Sequence, residues 1–173
     1  DPDKIIVSGV SAGGNLALAV ALKARDENGP QIAGILPLDP MLDAKERPFH
    51  ERFTSLAIWN TEKNKYSWSA YLGNMKTIPQ YASPLYANVE GLPPIYTFIG
   101  THDLFYEEVC EFVDKLREAH IEVQLDIYKG CIHGFDLEDV PIAYEAKKRL
   151  LYVTANLLDG HTSFGICPTK LLK

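Results

Sequence analysis

The stretch from Lys4 to Lys23 constrains this chain more than any other. Lys4-Ile5-Ile6-Val7-Ser8 is short and rich in β-branched residues, as a fully buried strand is. It runs into Gly9-Val10-Ser11-Ala12-Gly13-Gly14 and then into Asn15-Leu16-Ala17-Leu18-Ala19-Val20-Ala21-Leu22-Lys23, which reads as helix. Strand, G-x-S-x-G, helix is the pattern of a nucleophile elbow. The turn is so sharp that side chains at positions 9 and 13 are expected to collide with the neighbouring strand and helix, hence glycine at both. The Ser11 hydroxyl is thereby pushed clear of the backbone, and the Ala12 amide sits at a helix N-terminus, facing developing negative charge. Chance supplies the three fixed residues in roughly one chain of this length in twenty. The motif's weight therefore comes from its placement between a strand-like run and a strong helix.

The rest of the chain extends the same alternation. The first helix, about 13–27, is apolar nearly all round, as suits a helix buried under a sheet, and Asn28-Gly29-Pro30 stops it. Further strands are predicted over 33–38, 95–100 and 123–128, and further helices over about 105–119 and 142–158. Strand, helix, strand at this spacing gives parallel pairing, so the predicted class is α/β, a parallel sheet with helices on both faces. Between Asp39 and Leu72 the texture changes. Charged residues mix there with Phe49, Phe53, Trp59, Tyr66, Trp68 and Tyr71, and helices are plausible near 51–59 and 62–72. This insertion fits a lid over a pocket as well as a pair of packing helices. Residues 160–173 form a tail whose role the sequence does not assign.

A serine nucleophile needs a base to take its proton and a third group to orient that base. In a parallel sheet both belong just past the C-terminal ends of strands. Asp103, in Gly100-Thr101-His102-Asp103, follows the third predicted strand; His133, in Cys131-Ile132-His133-Gly134-Phe135, follows the fourth. The order Ser11, Asp103, His133 is that of an α/β hydrolase. Each has a plainer alternative: Asp103 can cap the helix beside it, and His133 can be a surface loop residue. His102 is a rival base, while Glu107 and Glu108 are rival acids set too far along their helix. His120 ends a helix, where a cation suits the dipole. His50 and His161 lie in weakly structured stretches with no evident partner.

Composition removes other classes. The 173 residues suffice for one domain, and a net charge of −6 argues against nucleic acid as a partner. No apolar run approaches the roughly 20 residues of a membrane helix. The histidines do not fall at metal-ligand spacing with acids, and the glycines match neither a P-loop nor G-x-G-x-x-G, so neither a metal nor a nucleotide site is expected. Cys110, Cys131 and Cys167 fit neither a disulfide framework nor a metal site, and Cys110 reads as a small core residue. A reducing, cytoplasmic compartment fits that usage, although the chain begins with Asp rather than Met.

Taken with Pro40-Met41-Leu42-Asp43, Tyr81-Ala82-Ser83-Pro84, Gly91-Leu92-Pro93-Pro94 and Glu107-Glu108, these motifs resemble the hormone-sensitive-lipase-like branch of the α/β hydrolases from residue 1 to about 158. The resemblance implies a serine carboxylesterase or lipase acting on short-chain carboxylic esters without a cofactor. It maps Ser11 to the nucleophile, His133 to the base, Asp103 to the orienting acid and the Ala12 amide to one oxyanion donor, and it makes 41–72 a cap insertion. Two departures stand out. Val10 occupies a position that is usually acidic in the family, and the chain carries no upstream H-G-G-G turn, the source of the family's other oxyanion amides. It looks like the C-terminal portion of a hydrolase, residues 1–159, followed by the 160–173 tail. The other reading is accordingly a non-catalytic or truncated hydrolase-like module. Strand 4–8 would lack its usual partner on one side, so self-association, or docking of an absent N-terminal segment, is expected along it.

Overall fold

Four aliphatic runs form one parallel sheet in a computed structural model that describes residues 1, 4–53, 58–161 and 164–165. The strands are β1 (Ile5–Val10), β2 (Ile32–Leu38), β3 (Ile95–His102) and β4 (Val123–Ile132). They lie in the order β1-β2-β3-β4, each parallel to its neighbour. Four α-helices accompany them among the described residues: α1 (Ala12–Asp26), α2 (Thr61–Leu72), α3 (Tyr106–Glu118) and α4 (Pro141–Leu158).

Alternation along the strands divides the core into two layers, because successive side chains point to opposite faces. Ile35, Ile95 and Ile99 pack with Leu18, Ala21 and Leu22 of α1 and with Val109, Phe112 and Leu116 of α3. Leu36, Leu38, Tyr96 and Phe98 pack on the other face with Ala146, Val153 and Leu157 of α4. Helices therefore cover both faces, as the alternating pattern predicts. β1 stands at one edge of the sheet among the described residues.

Several expectations need correction. α1 is not buried all round: Leu16 and Val20 are each 51% exposed, because only the side carrying Gly14, Ala17, Leu18, Ala21 and Leu22 meets the sheet. β4 runs four residues past the predicted end at 128, held by pairing of His102 with Ile132 beyond an irregularity in register. The helix expected near 51–59 is instead a 3-10 helix over Pro48–Phe53. There the His50 amide donates to the Arg47 carbonyl at 3.0 Å and the Arg47 amide donates to His50 Nδ1 at 3.4 Å. The first is the i to i+3 backbone bond of the tighter winding, and the second ties the His50 ring back to the start of the turn; residues 54–57 lie outside the described residues. α2 starts one residue earlier than expected, where Asn60 accepts from the Lys63 amide at 2.9 Å and caps the helix. Cys110 is only half-buried, whereas Cys131 is buried; Cys167 and most of the tail lie outside the described residues.

Candidate active site

The turn between β1 and α1 brings Ser11 to the C-terminal edge of the sheet. Ser11 adopts φ 56° and ψ −119°, a conformation that L residues rarely take. Its amide donates to the Leu38 carbonyl at 2.8 Å, and its carbonyl accepts from Gly14 at 2.9 Å, so the backbone on both sides over-determines the strained residue. The glycines serve the turn unequally. A Cβ on Gly9 would lie 2.1 Å from the Gly13 carbonyl oxygen, and one on Gly14 would lie 2.9 Å from Pro40 Cβ. A Cβ on Gly13 would meet nothing within 4 Å, contrary to the expected collision there. What position 13 supplies is the backbone against which Gly9 packs.

His133 reaches the turn from the end of β4 and Asp103 from the end of β3. Ser11 Oγ lies 2.9 Å from His133 Nε2, and His133 Nδ1 lies 2.7 Å from Asp103 Oδ2. With Nδ1 protonated, the ring donates to Asp103 and its free Nε2 accepts from the serine hydroxyl. Asp103 is fully buried, and its other oxygen, Oδ1, accepts the Phe105 amide at 2.9 Å. It therefore both closes the turn into α3 and meets His133; the two readings of this residue are compatible. Phe105 stands edge-on to the imidazole, with ring centroids 5.0 Å apart, and Trp59 lies 6.2 Å away on another side. Gly134, left-handed at φ 72°, turns the chain away immediately after the ring. Ala12 is the first residue of α1, so its amide has no intrahelical acceptor, and no acidic residue occupies the first turn to neutralise the positive helix end.

Longer-range bonds fix the segment that faces Ser11. Asn15 donates to the carbonyls of Met41 at 2.7 Å and Ala82 at 2.9 Å. Ser83 donates to the Leu42 carbonyl at 2.8 Å and accepts the Ala44 amide at 3.1 Å. Glu108, completely buried, accepts the Leu42 amide at 2.6 Å; burial holds its carboxyl well above the usual range. Glu108 is thus engaged with the segment after β2 rather than with His133, and Glu107 is exposed. His50 is not in a loose stretch: it is buried, with Nε2 4.0 Å from Glu108 Oε2. His102 is exposed and close to Thr101. Val10 packs with the apolar residues under α4.

One buried residue near the site went unread in the sequence. A carboxylate oxygen of Asp39, one of Asp103 and a ring nitrogen of His133 all lie within 4.8 Å of one another. Such a set can hold a cation in principle, but both ring nitrogens of His133 are already engaged by Ser11 and Asp103. Beside the serine, Ala12, Asn15, Leu16, Met41, Trp59 and Trp68 line most of a mainly apolar cleft of about 220 Å³.

A family model described as the alpha/beta hydrolase fold matches residues 1–137. The chain belongs to the α/β-hydrolase family, in its hormone-sensitive-lipase-like branch. Among curated proteins, this hydrolase chain is 27% identical over 139 residues to an esterase of Acinetobacter venetianus, covering 79% of the chain and 46% of the relative. It is also 27% identical over 141 residues to the carboxylesterase NlhH of Mycobacterium tuberculosis, covering 78% and 44% respectively. A solved structure of the esterase EstE5, from a crystal soaked with p-nitrophenyl butyrate, superposes with a TM-score of 0.84 at 25% identity. That match covers 92% of this hydrolase chain and 55% of the other. The chain thus spans less than half the length of the curated relatives named here. No helix among the described residues is long and apolar enough to cross a membrane.

Proposed function

We propose that the protein is a serine carboxylesterase that hydrolyses short-chain carboxylic esters through an acyl-enzyme. The observation that carries this reading is the unbroken hydrogen-bond chain from Ser11 through His133 to Asp103, set at the head of α1. Ser11 Oγ attacks the ester carbonyl carbon as its proton passes to His133 Nε2. Asp103 stabilises the imidazolium, and the Ala12 amide faces the oxyanion. Collapse expels the alcohol, which takes the proton from Nε2 and leaves Ser11 acylated. Water then attacks the acyl carbon, giving a proton to Nε2, and the carboxylic acid departs with Ser11 restored.

The cleft beside Ser11 supports a small acyl group. Its volume of about 220 Å³ is below the roughly 300–1,000 Å³ typical of drug-sized ligands, and its walls are largely apolar. Residues 41–72 contribute Met41, Trp59 and Trp68 to that wall, which favours reading this insertion as a cap.

A fluorophosphonate probe tests the proposal, because it phosphonylates only an activated serine. Labelling that maps to the Ser11 peptide and disappears in Ser11→Ala is the expected outcome. An unlabelled protein that still binds esters would support the non-catalytic reading instead.

A further inference from the structure

We propose that Asp39, a residue outside the Ser11–His133–Asp103 chain, is a positioning residue that works as a neutral carboxylic acid. In this role it pins the amide that follows His133 and leaves Asp103 as the one carboxylate hydrogen-bonded to the imidazole. The inference deepens the esterase reading and rests on it for its kinetic consequences, though not for the location of the proton.

Asp39 directly follows β2 and is completely buried. Its backbone is left-handed, at φ 42°, with the amide donating to the Phe98 carbonyl at 3.2 Å, so its direction is imposed by the sheet. Oδ2 accepts the Gly134 amide at 3.2 Å, tying the end of β2 to the loop that carries His133. Oδ1 is buried with no hydrogen-bond partner. Two carboxyl groups whose oxygens lie within 4.8 Å of one another, away from water, do not both ionise readily. The contacts decide which one holds the proton. Asp103 has the imidazole N–H at 2.7 Å and the Phe105 amide at 2.9 Å, both of which stabilise a carboxylate. Asp39 has one long bond to an uncharged amide. A charged Oδ1 without a donor would bear the desolvation cost of an unpaired ion, and protonation reduces it to the smaller cost of an unpartnered neutral hydroxyl.

The groups facing Asp39 come from three directions. Asp103 lies on the turn after β3, Cys131 at the end of β4, and His133 and Asp136 on the segment after it. Burial foremost, then the charges of Asp103 and Asp136, raise the Asp39 carboxyl to about 9 against the lowering effect of the Gly134 amide. Below that pH the imidazole has one carboxylate partner. Above it, a second carboxylate repels Asp103 and competes for the ring N–H, and turnover is expected to fall.

Two measurements on the protein test this. The first is a 13C NMR titration of the Asp39 carboxyl, assigned with Asp39→Asn, which needs no turnover. The carboxyl should remain protonated at pH 7 and titrate near pH 9; an ionised Asp39 at pH 7 overturns the proposal. The second is the pH dependence of kcat/KM for a short-chain aryl ester. Asp39→Leu, which removes the acceptor for Gly134, should lower kcat on the order of 10²-fold, the effect of a displaced catalytic group. Asp39→Asn should recover most of that loss, keep the acid limb in place and abolish the alkaline limb near pH 9. An acid limb displaced by Asp39→Asn would mean that Asp39 carries charge in the working enzyme, and would also overturn the proposal. Failure of the esterase reading looks different: absent turnover with an Asp39 carboxyl that still titrates near pH 9.

Discussion

His133 Nε2 lies 2.9 Å from Ser11 Oγ, although 122 positions separate the two residues in the chain. Parallel strands create this meeting, because each ends at the same edge of the sheet and delivers the residue that follows it to one place. Substitutions along the hydrogen-bond chain should therefore differ in kind. Ser11→Ala is expected to abolish ester hydrolysis and His133→Ala nearly to do so. Asp103→Asn should fall on the order of 10⁴-fold in kcat by presenting the wrong imidazole tautomer, as in the serine-protease case. Steady-state kinetics on an aryl butyrate check all three. Turnover of Asp103→Asn close to that of the parent protein would remove Asp103 from its role.

Much of this arrangement is legible in the sequence. Ser11, Asp103 and His133 each follow a short apolar run, and strand ends are readable from apolar periodicity and turn residues. Asp39 was not legible, because Leu38-Asp39-Pro40 reads as an ordinary strand exit; its significance depends on which loops meet across the sheet edge. The same holds for Asn15, Ser83 and Glu108, whose partners lie 26 to 67 positions away along the chain. The opposite error arose at α1. An apolar count made the helix look buried all round, but a helix on one side of a sheet covers only one of its own faces, leaving Leu16 and Val20 half-exposed.

Leu16 also offers a way to probe the cleft with little effect on the core. It lines the cleft and is 51% exposed, so enlarging it costs little packing. Leu16→Trp is expected to lower kcat/KM for a hexanoate ester several-fold more than for an acetate ester. Equal losses on both esters would show that the acyl group lies elsewhere.

Stability should depend on pH through the buried acids. Asp39, raised to about 9, and Glu108, raised well above the carboxylate range, bind more protons folded than unfolded. Their contribution is therefore full below the ordinary carboxylate pKa and is lost as pH rises through the folded values. For Asp39 that window runs from about 4 to about 9. Thermal unfolding of the parent protein and of Asp39→Asn at pH 5 and pH 8 checks the sign. The parent should lose more Tm between the two pH values than the variant; a parent that gains relative to the variant would contradict it.

We expect association through β1, which is apolar and stands at an edge of the sheet among the described residues, beside the exposed Leu16 and Val20 of α1. The 173-residue chain studied alone is expected to self-associate in light scattering and to bind an apolar dye. A monodisperse monomer with a cooperative melt and no dye binding would contradict this.

In the proposed reaction, chemistry passes through an ester on Ser11. Rapid quenching during turnover of p-nitrophenyl butyrate, followed by peptide mass spectrometry, tests it most directly. The expected result is a butyryl group on the peptide containing Ser11, formed with the burst of nitrophenol and absent in Ser11→Ala. Steady hydrolysis with no acylated Ser11 at any time, or with the butyryl group on another residue, would contradict it.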